Sequence, residues 1–121
     1  MQYLLLIYGE EARWEETEDK ERDAVLQEYM DFTKGIAASG NYRGGNELHR
    51  TSRAKTVRVR NGKQILTDGP FAETKEALGG YYLVEARDLD EAVDIAARIP
   101  SARWGSVEIR PIVPHDMPPA A

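Results

Sequence analysis

The side chains best suited to chemistry in this chain are Asp68, in the stretch LTDGPFAETKEALGG, and His49, one of only two histidines. A carboxylate held inward near apolar walls has a raised pKa and serves as a general base or a ligand-orienting group. An imidazole beside it would complete an acid/base dyad, with the carboxylate fixing the tautomer. Each residue also has a plainer reading. Asp68 can accept hydrogen bonds from backbone amides in the turn leading to Phe71 and Ala72, since Pro70 restricts Gly69 to extended backbone. His49 can be a partly exposed side chain at a strand edge.

Other residues could complete a ligand site. Arg110 offers a partner for a carboxylate or phosphate, or else an ion pair with Glu85 or Glu108. Tyr8, Tyr81 and Tyr82 could hydrogen-bond a ligand from a sheet, although tyrosines there are more often interface core with a wet hydroxyl. Lys75 and Glu76 could line the mouth of a cleft below Asp68, or form the outer side of a one-turn helix closed by Gly79. Arg58 and Arg60 with Lys63 read as an anion strip or as a solvated outer face.

Composition removes several classes of function. There is no cysteine, which excludes disulfides, thiolate nucleophiles and Cys-based zinc sites. Only His49 and His115 are available for a His-rich metal site, so no metal and no cofactor is expected. The net charge of −5 argues against a general nucleic-acid binder. The longest apolar run, YLLLIY, is strand-sized, and the N-terminus lacks the features of a signal peptide. The serines lie in no nucleophile-elbow motif. A cytoplasmic protein without a membrane segment is the expectation.

The elements that must hold these residues follow from periodicity. QYLLLIY (2–8) reads as a strand buried on both faces, because its apolar residues do not alternate. GEEARWEETED reads as an acidic connector with Thr17 as N-cap. Over 19–38, Val25, Tyr29, Phe32 and Ile36 recur at helical spacing, with Leu26, Met30 and Thr33 widening the stripe. NYRGGNE reads as a glycine-rich loop. KTVRVR-NG-KQILTD is a hairpin on a two-residue Asn-Gly turn, which places Lys55 opposite Asp68 and Asp68 on the Val57/Leu66 side. GGYYLVEAR (79–87) is the next strand. Asp88 and Glu91 then open a helix in the manner of a capping box, and Pro100 stops it. GSVEIRPIV (105–113) alternates as a closing strand.

The order β-α-(short β)-hairpin-β-α-β is the ferredoxin-like split βαβ plan with an inserted β-hairpin, an α+β fold. Residues 1–113 form one domain and 114–121 a flexible Pro-rich tail. Two helices cover one sheet face only, yet the first strand is apolar on both. The expected cover for the other face is a second copy, giving a homodimer packed sheet to sheet.

TVRVRNGKQILTDGPFAETKEALGGYYLVEARDLDEAVDIAARIP followed by GSVEIRPI resembles the DGPF branch of the YCII-related family, and the likeness runs from YLLLIYG to RPI. The resemblance implies a dimeric α+β barrel among small bacterial proteins, many encoded beside extracytoplasmic-function sigma factors. Broader relatives use a His–Asp pair, and one branch removes chloride from a chlorinated aromatic. The resemblance assigns no histidine of this chain to that chemistry. Three functions are therefore expected as alternatives. The first is a binder of a small polar or aromatic molecule near Asp68, with lyase- or isomerase-like proton transfer. The second is an interaction module associating with a sigma factor through acidic residues 10–23. The third, by fold analogy alone, is a cofactor-free oxygenase or haem binder.

Overall fold

In the computed structural model, which describes residues 1–115, one α-layer lies on one antiparallel sheet. Strand β1 (Gln2–Gly9) is followed by a short helix α1 (Glu11–Glu16), a long helix α2 (Asp19–Ala38) and strand β2 (Tyr42–Glu47). A 3-10 turn at Thr51–Arg53 leads into β3 (Lys55–Arg60) and β4 (Lys63–Asp68). Then come β5 (Ala77–Glu85), α3 (Leu89–Ala97), a second 3-10 turn at Pro100–Arg103 and β6 (Ser106–Pro111). The sheet order is β2-β5-β1-β6, every pair antiparallel, with β3 and β4 forming a separate two-stranded arm. This is the ferredoxin-like plan with its hairpin set apart. Among the described residues no helix is long and apolar enough to cross a membrane. The expected tail lies outside the described residues from 116 onward, and its first residues, Pro114 and His115, are exposed.

Strand parity decides which side chains meet the helices. Tyr3, Leu5 and Val84 share one face with Tyr82 and Ile109, as the pairs Tyr3↔Val84, Leu5↔Tyr82 and Leu5↔Ile109 require. Phe32 and Ile36 of α2 and Ala92, Ile95 and Ala96 of α3 close over that face, with Ile99 just beyond α3. Leu5, Ile36 and Val84 are fully buried, and burial of each such side chain contributes about 1.5–3 kcal/mol. Helix α3 starts as its sequence dictates: the Asp88 carboxylate accepts from the Glu91 amide at 2.9 Å. Glu91 reaches back to the Arg87 amide, one residue before the cap. The opposite sheet face carries Leu4, Leu6, Tyr81 and Leu83, each half-buried.

Several sequence expectations need correcting. Residues 11–16 are helical rather than a connector, so Thr17 ends α1 and its hydroxyl donates to the Arg13 carbonyl instead of capping α2. Helix α2 starts without any side-chain cap, at Glu18. Leu26 and Met30 face outward on α2, 46% and 54% exposed. The glycine-rich loop is the edge strand β2. Its Gly45 has a reason in packing: a Cβ there would stand 2.9 Å from the Tyr81 carbonyl oxygen and 3.0 Å from the Tyr82 ring. Nothing helical forms around Lys75, because β5 begins at Ala77.

Candidate functional site

The long helix brings hydroxyl groups onto the sheet. Tyr29 and Thr33 lie one turn apart on α2, so both point at the same patch of β5 and of the Pro100–Arg103 turn. The Thr33 hydroxyl bonds the Tyr82 hydroxyl at 2.7 Å and also donates to the Tyr29 carbonyl at 2.8 Å. Tyr29 bonds Ser101 through its own hydroxyl. Tyr82 is held from two sides, edge-on to Phe32 at 5.2 Å and to Tyr42 at 6.3 Å. Burial pushes both Tyr29 and Tyr82 above the ordinary tyrosine pKa. Hydrogen bonds from Ser101 and Thr33 offset part of this, while Tyr82 and Glu47 near Tyr29, and Tyr42 near Tyr82, raise it further. Both phenols therefore stay protonated at neutral pH.

These four hydroxyl-bearing residues line a cavity of about 510 Å³ that Ile7, Val25, Trp14, Trp104, Glu47 and His49 also line. Helix α1 forms one wall and is fastened on two sides. Arg22 of α2 donates to the Trp14 carbonyl at 2.8 and 3.1 Å and to the Glu15 carbonyl at 2.7 Å. That guanidinium takes the last carbonyls of a helix too short to hold itself. From the other side, Glu11 accepts from the Thr51 amide at 2.8 Å and from its hydroxyl at 2.5 Å, and Glu15 pairs with Arg50. The Thr51 bonds, hydroxyl before amide, hold Glu11 below the ordinary carboxyl pKa; burial opposes them in part, and nearby Arg50 adds a smaller lowering.

The structure divides the residues singled out in the sequence. His49, Tyr8 and Tyr81 line the cavity, and the Tyr81 hydroxyl accepts from Asn46 at 2.9 Å. Lys75 is not among the lining residues; it stands 3.6 Å from Glu10, which is one of them. Arg110 is exposed and pairs with Glu108, which is the ion-pair reading.

Asp68 is not among the lining residues. It does share a side of the hairpin with Val57 and Leu66, but that side faces water and its carboxylate is 86% exposed. The expected raised pKa is therefore reversed: the Lys55 ammonium opposite it, by hydrogen bond and by charge, holds Asp68 below the ordinary range. Its carboxylate accepts from Lys55, and neither His49 nor a backbone amide of the turn leading to Phe71 and Ala72 bonds it. Gly69 is held instead on both sides: its amide donates to the Ala54 carbonyl at 2.8 Å and its carbonyl accepts from the Thr56 hydroxyl at 2.8 Å. Gly69 has φ +89°, not extended backbone, which is a conformation that favours glycine.

The family model of the YCII-related domain matches residues 1–116. The chain belongs to the YCII-related family. It is also 34% identical over 123 residues to a protein of Rhizobium meliloti (strain 1021) described only as uncharacterised, covering 98% of this chain and 99% of that protein. Neither comparison carries a reaction, so the chemistry must be read from the cavity. Its lining joins apolar and aromatic side chains with the two hydroxyl pairs, the His49 imidazole and charged side chains that include Glu47 and Arg13. Such a set can enclose a small ring, hydrogen-bond a polar group on it, and exchange a proton with it. Among the described residues no group of three or more His, Asp or Glu converges as a metal site.

Sequence reasoning missed Trp14, Thr33 and Ser101 as site residues. Tyr29 and Thr33 were legible as parts of the helical stripe, yet a stripe signals burial, not a cavity under it. Trp14 could have been found from its place: a lone large aromatic within an acidic run, ahead of a helix, has little reason to be there unless it packs.

Proposed function

We propose that this YCII-related protein binds a small, partly aromatic molecule in the cavity beneath α1, with His49 as the group able to exchange a proton with it. The supporting observation is the two hydroxyl pairs, Tyr29 with Ser101 and Thr33 with Tyr82, in the lining of a cavity of about 510 Å³. That volume falls within the roughly 300–1,000 Å³ common for small-molecule sites. A polar substituent on the ligand takes the place of one partner in a hydroxyl pair, and the tryptophan walls hold the ring. Proton transfer of the lyase or isomerase type suits these groups, because imidazole exchanges protons near neutral pH. In this reading Asp68 serves the hairpin rather than the ligand.

The half-buried apolar face of Leu4, Leu6, Tyr81 and Leu83 supports the homodimer packed sheet to sheet. Association with a sigma factor through residues 10–23 has weaker support, since Glu10, Glu11 and Glu15 are already engaged by Lys75, Thr51 and Arg50.

The two tryptophans of the chain both line the cavity, which gives a direct test. Titrating phenols and aromatic carboxylates into wild type, Tyr29→Phe and His49→Ala should quench or shift tryptophan emission. A binder should raise the melting temperature by several degrees in wild type. Tyr29→Phe should weaken binding, and His49→Ala should abolish turnover more than binding. If no compound in the set alters either signal, the cavity reading falls.

A further inference from the structure

The β3–β4 arm carries an apolar strip that its own chain leaves in water. Register places Val57, Val59 and Leu66 on one side, and they are 58%, 63% and 60% exposed. Phe71, just past the root of the arm, is 80% exposed. A two-stranded hairpin alone is marginal in water, and a flat apolar strand surface invites pairing with another molecule. Selection against aggregation makes such a surface unusual unless it is used.

Charge indicates the partner. The arm, residues 55–68, holds four cations (Lys55, Arg58, Arg60 and Lys63) and one anion, Asp68, for +3. The whole chain carries −5, which leaves −8 on the remainder. Much of that negative charge lies in residues 10–31, with ten carboxylates against three cations. Glu10, Glu11, Glu15 and Glu28 are engaged within the chain, while Glu16, Glu18, Asp19, Glu21 and Asp23 form no ion pair among the described residues. The same segment shows apolar side chains to solvent: Leu26 and Met30 stand on one side of α2 close to Asp23. A basic arm with an apolar strip thus matches an acidic surface with apolar patches, and both occur on every copy. Nucleic acid would suit the arm's cations but not its valines, and the −8 body would repel it.

We infer that the arm, together with Phe71, docks on the acidic α1–α2 side of a second copy of this chain. The inference does not rest on the cavity reading. The test uses the full chain in sedimentation velocity at micromolar concentration, comparing wild type with the double variant Val57→Ser/Leu66→Ser. Wild type should sediment at twice 13.6 kDa, and the variant should dissociate about tenfold more readily. Because both side chains are exposed, the variant should keep its circular dichroism spectrum. High salt should loosen wild type as well. Carbodiimide cross-linking of mixed light and heavy copies should join Lys55 or Lys63 of one to carboxylates 10–31 of the other. The inference is overturned if wild type stays monomeric, if cross-links form only within one copy, or if the double variant associates as tightly as wild type. The combination of an unaffected double variant and a Leu6→Asp variant that cannot dimerise would overturn it too, and leave the sheet-to-sheet reading standing.

Discussion

The arm and the cavity differ in how they are built. The arm, β3–β4, comes from one continuous stretch with strong local signals: an Asn-Gly turn, alternating residues and the Asp-Gly-Pro-Phe block. The cavity comes from seven separate pieces: the end of β1, α1, α2, β2, the segment 48–50 after it, β5 and the Pro100–Arg103 turn with Trp104. The loudest motif in the sequence therefore marks an exposed hairpin root, and the enclosed chemistry lies where no motif points. Local patterns are strongest where the chain must turn, whereas a cavity is defined by tertiary packing of side chains that each look ordinary alone.

The sharpest way to break this contrast is to make the same change on both sides of it. Leu5→Ala removes a fully buried side chain and should cost about 2–5 kcal/mol in urea denaturation. Leu66→Ala, at 60% exposure, should stay within about 0.5 kcal/mol at concentrations too low for association. Equal losses would mean that the arm packs on its own body after all. Next comes the cavity lining: Gly45→Ala forces a Cβ against the Tyr81 carbonyl and the Tyr82 ring, and should cost about 1–3 kcal/mol. Its effect should also reach tryptophan emission, as a change on the arm should not.

A smaller effect concerns acid. The Glu11 pKa is lowered in the folded protein, so its contribution is complete above the ordinary value of 4.5 and is lost as pH falls through the lower folded value. Tryptophan emission followed by pH titration should shift in that acidic window before global unfolding, and Glu11→Gln should remove the step. The smallest effect is expected at the motif itself. Asp68→Asn should leave the melting temperature unchanged, since its pair with Lys55 is open to solvent. A large loss there would restore the carboxylate to a central role.

What the sequence made legible follows the same division. The hairpin register, the bounds of α2 and the Asp88 cap were all readable, because each is fixed by residues close in the chain. The edge strand β2 was not, since Gly44 and Gly45 suggest a loop until the Tyr82 ring over Gly45 is known. Helix α1 was hidden because its supports, Arg22, Arg50 and Thr51, lie outside it. Parity placed Asp68 on the apolar side of the hairpin correctly. It could not reveal that this side has no core beneath it.

The separateness of the arm's two strands has a consequence for motion. Their ladder hydrogen bonds run only between each other, so the arm's amides can open to solvent while β5 and β1 remain paired. In hydrogen exchange the molecule should therefore keep two clocks, a slow one for the four-stranded sheet and a fast one for residues 55–68. A docked neighbour would slow only the fast clock.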